Sequence, residues 1–199
     1  MQKIMGKIFL TDSPNVVLKM HDCGMGNYWF YHKDSFPMDE PLLYRELINQ
    51  AANNIDIWDP YFNIKSIAEG DHLLFDSIQS NITIKILHQK GYSPQSFYFQ
   101  NFWNIFKSII PASKNVRLGM RFIDSGNISH KNGEFHDRFL IIDQLEVYLI
   151  GGSIGWHRES KGSTGIFKVQ DIETANFIKS LFTEYWNFAT QNEIPVKYL

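Results

Sequence analysis

Apolar positions along this chain switch repeatedly between helical and strand spacing. Leu42, Leu43, Leu47, Ile48 and Ala51 recur every three or four residues, which predicts a helix over Glu40–Asn53. Ile55–Trp58 then reads as a buried-type strand that stops at Asp59-Pro60. The same reasoning places a helix within Ser66–Ser80, a strand at Ile82–Leu87, a helix over Ser96–Ile110 and a strand at Val116–Ile123. Asp124–Gly133 is polar and reads as a loop. Strands at Arg138–Ile142 and Val147–Ile150 follow, then a turn at Gly151-Gly152-Ser153, a strand at Gly165–Val169 and an amphipathic helix over Ile172–Ala189. Before all of these, Lys7–Leu10, Val16–Met20 and Tyr28–His32 form an opening β segment, with hairpin-turn chemistry at His21–Asn27. Strands alternating with helices predict an α/β sandwich with a mixed central sheet.

The 199 residues suit one domain, 1–199, with residues 1–36 as the N-terminal β segment and 37–199 as the core. Hydrophobic residues at 44% and charged residues at 20% are those of a globular chain that needs no metal or disulfide to hold a core. A formal charge of -2 gives no global field toward nucleic acid or membrane. Charge is uneven, however. Lys85, Lys90, Lys107, Lys114, Arg117, Arg121, Lys131 and Arg138 outnumber Asp124, Glu134 and Asp137 between Asn81 and Arg138, a local basic face or ordinary solvated surface. A lone cysteine, Cys23, forms no internal disulfide and suggests a reducing cytoplasm. No signal-peptide core or membrane-length apolar run is evident, so a soluble, cytoplasmic protein without membrane partners is expected. His21 and Cys23 have no further metal ligands beside them and read as part of a hairpin, so neither metal nor cofactor is expected.

The chemistry concentrates in Phe135-His136-Asp137-Arg138-Phe139-Leu140-Ile141-Ile142-Asp143 and the later Gly151-Gly152-Ser153. Side chains alternate along a strand, so His136 and Arg138 leave the same face. An imidazole that attacks phosphorus and a guanidinium that offers paired donors to phosphate oxygens suit phosphoryl chemistry. A second imidazole is needed to protonate the leaving oxygen. Asp143 ends the strand, where it either reaches back or sets the turn. Asp59 reads as a site-edge carboxylate or as the start of an Asp-Pro turn, and Ser153 as a phosphate neighbour or a turn hydroxyl. The aromatic cluster Tyr92, Phe97, Tyr98, Phe99, Phe102, Trp103 and Phe106 has largely core spacing, with base stacking as the other reading.

His136-x-Arg138-x4-Asp143 followed by Gly152-Ser153 resembles the phospholipase D superfamily signature, His-x-Lys-x4-Asp then Gly-Ser. Asp59-Pro60-Tyr61 after an apolar strand resembles a segment of bacterial members. The resemblance runs from about Glu40 onward. It implies a phospholipase D-like α/β/α sandwich and a metal-independent phosphodiesterase, most simply a nuclease. Catalytic residues would be His136, Arg138 and Asp143, supported by Ser153, Gly152 and Asp59. Only one motif copy is present, so the resemblance implies a homodimer pairing two His136 side chains across a two-fold axis, with nucleic acid as substrate or ligand. Three departures stand out: Arg138 replaces lysine, Gly155 stands where asparagine is frequent, and Gly162–Val169 lacks the usual acidic residue. They motivate the alternative of a degenerate member that binds phosphate or nucleic acid without cleaving it. Lipid phosphodiester cleavage ranks behind both.

Overall fold

Strand β3 (Asn54–Trp58) is buried along nearly its whole length, as expected of a strand covered on both faces. In the computed structural model, which describes residues 18–22, 26–31, 47–62, 75, 78–89, 104–108, 110, 112–123, 137–154, 164–188 and 194–198, it lies near the middle of a nine-stranded sheet. The other strands are β1 (Leu18–Asp22), β2 (Gly26–Tyr31), β4 (Thr83–Gln89), β5 (Arg117–Ile123), β6 (Phe139–Ile142), β7 (Glu146–Ile150), β8 (Thr164–Lys168) and β9 (Ile194–Tyr198). Their order is β1-β2-β8-β7-β6-β3-β4-β5-β9. Strands β3, β4 and β5 run parallel, and every other neighbouring pair is antiparallel. The sheet is therefore mixed, as the sequence pattern predicts.

Alternation along β3 divides two cores. Ile55 and Ile57 join Ile84, Ile86, Leu118, Met120 and Leu140 on one face, under Leu47, Ile48, Phe75, Phe106 and Ile110. Phe75 and Phe106 meet there at 4.9 Å between ring centroids. Residues 47–49 and 104–108 are helical, inside the expected helices Glu40–Asn53 and Ser96–Ile110. The opposite face carries Trp58, Leu87, Ile141 and Val147 beneath the helix Ile172–Phe188. Ala175, Ile178, Phe182 and Trp186, spaced at three and four residues, form its inward stripe. Burying Phe182 there contributes about 1.5–3 kcal/mol, and its ring lies 6.4 Å from that of Trp58. Asp171 caps the helix by accepting the Thr174 N–H at 2.7 Å, and Arg121 Nη1 donates to the Trp186 carbonyl near its end. Helical segments on both faces of a mixed sheet make an α/β/α sandwich. Helix Ser66–Ser80 and loop Asp124–Gly133 fall largely or wholly outside the described residues, as does strand Lys7–Leu10.

The opening β segment joins the same sheet. β2 pairs with β8, from Tyr28 opposite Phe167 to Tyr31 opposite Thr164, and β1 pairs with β2 in turn. The turn is tighter than expected: β1 ends at Asp22 and β2 begins at Gly26, so His21 lies in a strand. Cys23 lies outside the described residues.

Candidate active site

Three chain segments meet where β3 ends. Asp59 is the first residue past β3, and its N–H donates to the Leu87 carbonyl of β4 at 3.0 Å. Alternation turns its side chain to the face of Ile55 and Ile57. β6 is antiparallel to β3, so the start of β6 lies beside the end of β3. Arg138 precedes β6 there, its carbonyl accepting the Ile150 N–H at 2.9 Å, and it shares a face with Leu140 and Ile142. β7 returns antiparallel to β6 and ends at the same edge. Its continuation through Gly151 and Gly152 delivers Ser153, with the Gly151 N–H bonded to the Gly165 carbonyl at 2.8 Å. Sheet topology alone thus gathers positions 59, 138 and 153.

The side chains form one network. Arg138 Nε donates to Ser153 Oγ at 2.8 Å and lies 3.7 Å from Asp59 Oδ1. Asp59 Oδ1 accepts the Tyr61 N–H at 3.0 Å, and Oδ2 accepts the Ile154 N–H at 2.7 Å. The Ser153 hydroxyl bonds to the same carboxyl. The Arg138 guanidinium sits over the Tyr61 ring, 5.0 Å from its centroid. Both polar contacts use Nε, so among the described residues the terminal nitrogens of the fork have no acceptor. Asp59 is 1% exposed, whereas the Arg138 side chain is 24% exposed. A sealed carboxyl thus lies behind a cation that reaches solvent. Burial pushes the Asp59 carboxyl up to about 6, although the Tyr61 and Ile154 amides, the Ser153 hydroxyl and Arg138 all pull it down.

Asp143 lies elsewhere. It occupies the opposite end of β6, roughly 16 Å of strand from Arg138, in the turn to β7. Its φ of 53° and that of Gln144 at 57° are the positive pair of a type I′ turn, closed by the Leu145 N–H on the Ile142 carbonyl at 2.9 Å. Its carboxylate accepts the backbone N–H groups of Ala52 at 2.8 Å, Asn53 at 2.6 Å and Asn54 at 2.8 Å. Burial alone would raise this carboxyl, but the three amides outweigh it and hold it below its ordinary value. Of the two sequence readings of Asp143, the structure shows the one that sets the turn. It does not bring Asp143 to Arg138.

His136 lies outside the described residues, as do Gly155, Trp156 and His157. Arg138, Asp59 and Ser153 come together as described, with Gly152 partly buried directly before Ser153. Tyr61 and the Ile154 amide were not singled out in the sequence, although Asp59-Pro60-Tyr61 was. His88 was also missed. It is 1% exposed at the end of β4, on the face of Asp59, where the alternation Ile82, Ile84, Ile86 calls for an apolar residue. That break in alternation was the available signal. Of the basic run, Lys85 and Arg121 pack against the Trp186 ring at 5.6 and 4.7 Å, on the helix-covered face. Both are half-buried there, whereas Lys107 and Arg117 are exposed. Among the described residues no three His, Cys, Asp or Glu side chains group as a metal site, and no helix is long and apolar enough to cross a membrane.

No protein-family model matches the chain, and no curated protein matches it in sequence. Solved structures do. Nuc from Salmonella typhimurium, a phospholipase D family member, is similar at a TM-score of 0.51 and 14% identity, covering 80% of this chain and 93% of Nuc. NucT from Helicobacter pylori gives a TM-score of 0.45 and 14% identity over 80% of this chain and 95% of NucT. TrmBL2, an archaeal chromatin protein with a novel mode of DNA binding, gives 0.46 and 21% identity over 81% of this chain. The chain spans about half the length of TrmBL2, matching 53% of it. The likeness to Nuc shows the fold, a phospholipase D-like α/β sandwich.

Proposed function

We propose that this chain is a metal-independent phosphodiesterase acting on nucleic acid through a phosphohistidine at His136. The observation that carries the reading is the Arg138 guanidinium, fixed by Ser153, Asp59 and Tyr61 with its terminal nitrogens turned to no described acceptor. A planar cation so held is prepared to take two oxygens of a phosphodiester. His136 precedes it by two residues in the signature spacing, and the phospholipase D-like fold supports the assignment.

In the reaction, the His136 imidazole attacks phosphorus as the bond to the leaving oxygen breaks, and the partner subunit's His136 gives that oxygen a proton. Water then cleaves the phosphorus–nitrogen bond while the same partner imidazole takes up its proton. Arg138 holds the non-bridging oxygens throughout. Gly152 and Ser153 bring backbone and hydroxyl to that cation, Asp59 backs it, and Asp143 acts through the fold by fixing the far end of β6. The test is cleavage of single- and double-stranded DNA, RNA and bis(4-nitrophenyl) phosphate in excess EDTA. Wild type is expected to cleave at least one of these, and His136→Ala to cleave none while unfolding as wild type does. Equal rates for the two proteins would overturn the mechanism.

A second reading, binding without turnover, is favoured by Gly155 standing where the family often has asparagine. Retention of labelled nucleic acid with no product from wild type would select it.

A further inference from the structure

Asp59 does more in this arrangement than end a strand. Its two oxygens are split between segments distant in sequence. Oδ2 holds the Ile154 amide, 95 positions away, while Oδ1 lies 3.7 Å from Arg138 Nε, and the Ser153 hydroxyl bonds to the same carboxyl. A strand-terminating Asp-Pro turn needs only the bond from the Tyr61 N–H, so the contacts to 138, 153 and 154 are additional. They link the end of β3, the start of β6 and the end of β7 through one buried carboxyl.

We propose, resting on the phosphodiester reading above, that Asp59 is a positioning residue whose buried carboxyl orients Arg138 through Ser153 and whose charge sets how strongly the site attracts a phosphodiester. With the carboxyl ionised, Asp59 and Arg138 offset each other and the pair meets the diester with no net charge. With the carboxyl protonated, the full charge of Arg138 faces the diester, while a neutral carboxyl still accepts from the amides and the hydroxyl. Burial puts this change near pH 6, within a range where a diester keeps its single charge. Among the described residues, the titratable or charged groups facing Asp59 are Arg138 before β6, Tyr61 from its own turn and His88 from β4. The helix Ile172–Phe188 packs on the other face and contributes none. Affinity for a diester therefore falls as pH rises through about 6.

The test is nuclear magnetic resonance of the whole chain, following the Arg138 Nε–H signal, assigned by its loss in Arg138→Ala, and titrating dimethyl phosphate at pH 5 and pH 7.5. In wild type the signal is expected to shift with a midpoint near pH 6, and affinity for dimethyl phosphate to drop about tenfold between the two pH values. In Asp59→Asn, which keeps shape but not charge, the midpoint disappears and affinity stays level. A midpoint and affinity drop unchanged in Asp59→Asn overturn the proposal. If wild type binds no dimethyl phosphate at either pH, the phosphodiester reading fails and the charge part of the proposal with it. The Arg138 signal then decides the positioning part: a midpoint lost in Asp59→Asn supports it, and one retained overturns it. Should Asp59→Asn not fold, Ser153→Ala breaks the link instead. Faster exchange of the Arg138 Nε–H in that variant supports the proposal, and unchanged exchange overturns it.

Discussion

The Asp143 carboxylate accepts the backbone N–H of Asn53 at 2.6 Å, joining positions 90 apart in sequence. With the bonds from Ala52 and Asn54, it ties the β6–β7 turn to the residues that lead into β3. These bonds are stronger to the charged form, so the extra stability they give is present above the ordinary carboxylate range and is lost as pH falls through the depressed value. Asp143→Ala is expected to cost about 2 kcal/mol, because the site is partly open to solvent and water replaces some of what is lost. Asp143→Asn should cost less, since one oxygen remains for Asn53 and Asn54 and asparagine tolerates the positive φ. Urea unfolding at neutral pH measures both, and an unchanged midpoint for the alanine variant would mean the three bonds add nothing.

That residue also shows how far the sequence is readable. The apolar run Phe139–Ile142 marked strand β6, and the stripe through Ile178, Phe182 and Trp186 marked the closing helix, because both patterns are local. Five steps along a strand from Arg138 is an odd number, so spacing alone leaves open where Asp143 acts, and only its cross-chain partners decide it. The Arg138 environment depends on β6 lying between β3 and β7, a non-local arrangement that local pattern does not record. Strand β9 went unread because Ile194-Pro195-Val196-Lys197-Tyr198 is short and contains proline, which a sheet accepts only at an edge such as the one β9 forms beside β5.

Asp56 is a second buried carboxyl, on the helix-covered face of β3. It is 1% exposed, its Oδ2 accepts from Gln144 Nε2, and Oδ1 has no partner among the described residues. Burial pushes it up to about 6 despite Lys85 and Gln144. The folded chain thus holds this proton more tightly than the unfolded chain. The resulting stability is complete below the ordinary 3.8 and is lost as pH rises through about 6. Asp56→Asn removes that loss. Its stability relative to wild type should rise by roughly 2 kcal/mol between pH 4 and pH 7. Asp59 has the same sign but is present in both proteins and cancels. Urea titrations at the two pH values test this, and a difference independent of pH would show that Asp56 titrates alike in the folded and unfolded chain.

Arg138→Lys separates charge from shape. Lysine keeps the cation but loses the Nε donor to Ser153 and the flat stacking over Tyr61. One ammonium cannot hold Ser153 and also offer a planar pair of donors. The expected result is a fall of about tenfold in kcat/KM on bis(4-nitrophenyl) phosphate. Activity equal to wild type would mean the site uses only the positive charge.

The shared-site mechanism makes a stoichiometric demand that no single-chain mechanism makes. Each site needs two imidazoles, one to attack phosphorus and one to protonate the leaving oxygen, and each chain supplies one His136. A dimer of one wild-type and one His136→Ala chain therefore has no complete site. Incubating wild type with a roughly threefold excess of His136→Ala, long enough for subunits to exchange, should lower activity per wild-type chain to about a quarter, the chance that a wild-type chain finds a wild-type partner. Exchange is followed independently by energy transfer between differently labelled chains. Full activity in spite of demonstrated exchange would place both proton-transfer groups within one chain and remove the need for the two-fold axis.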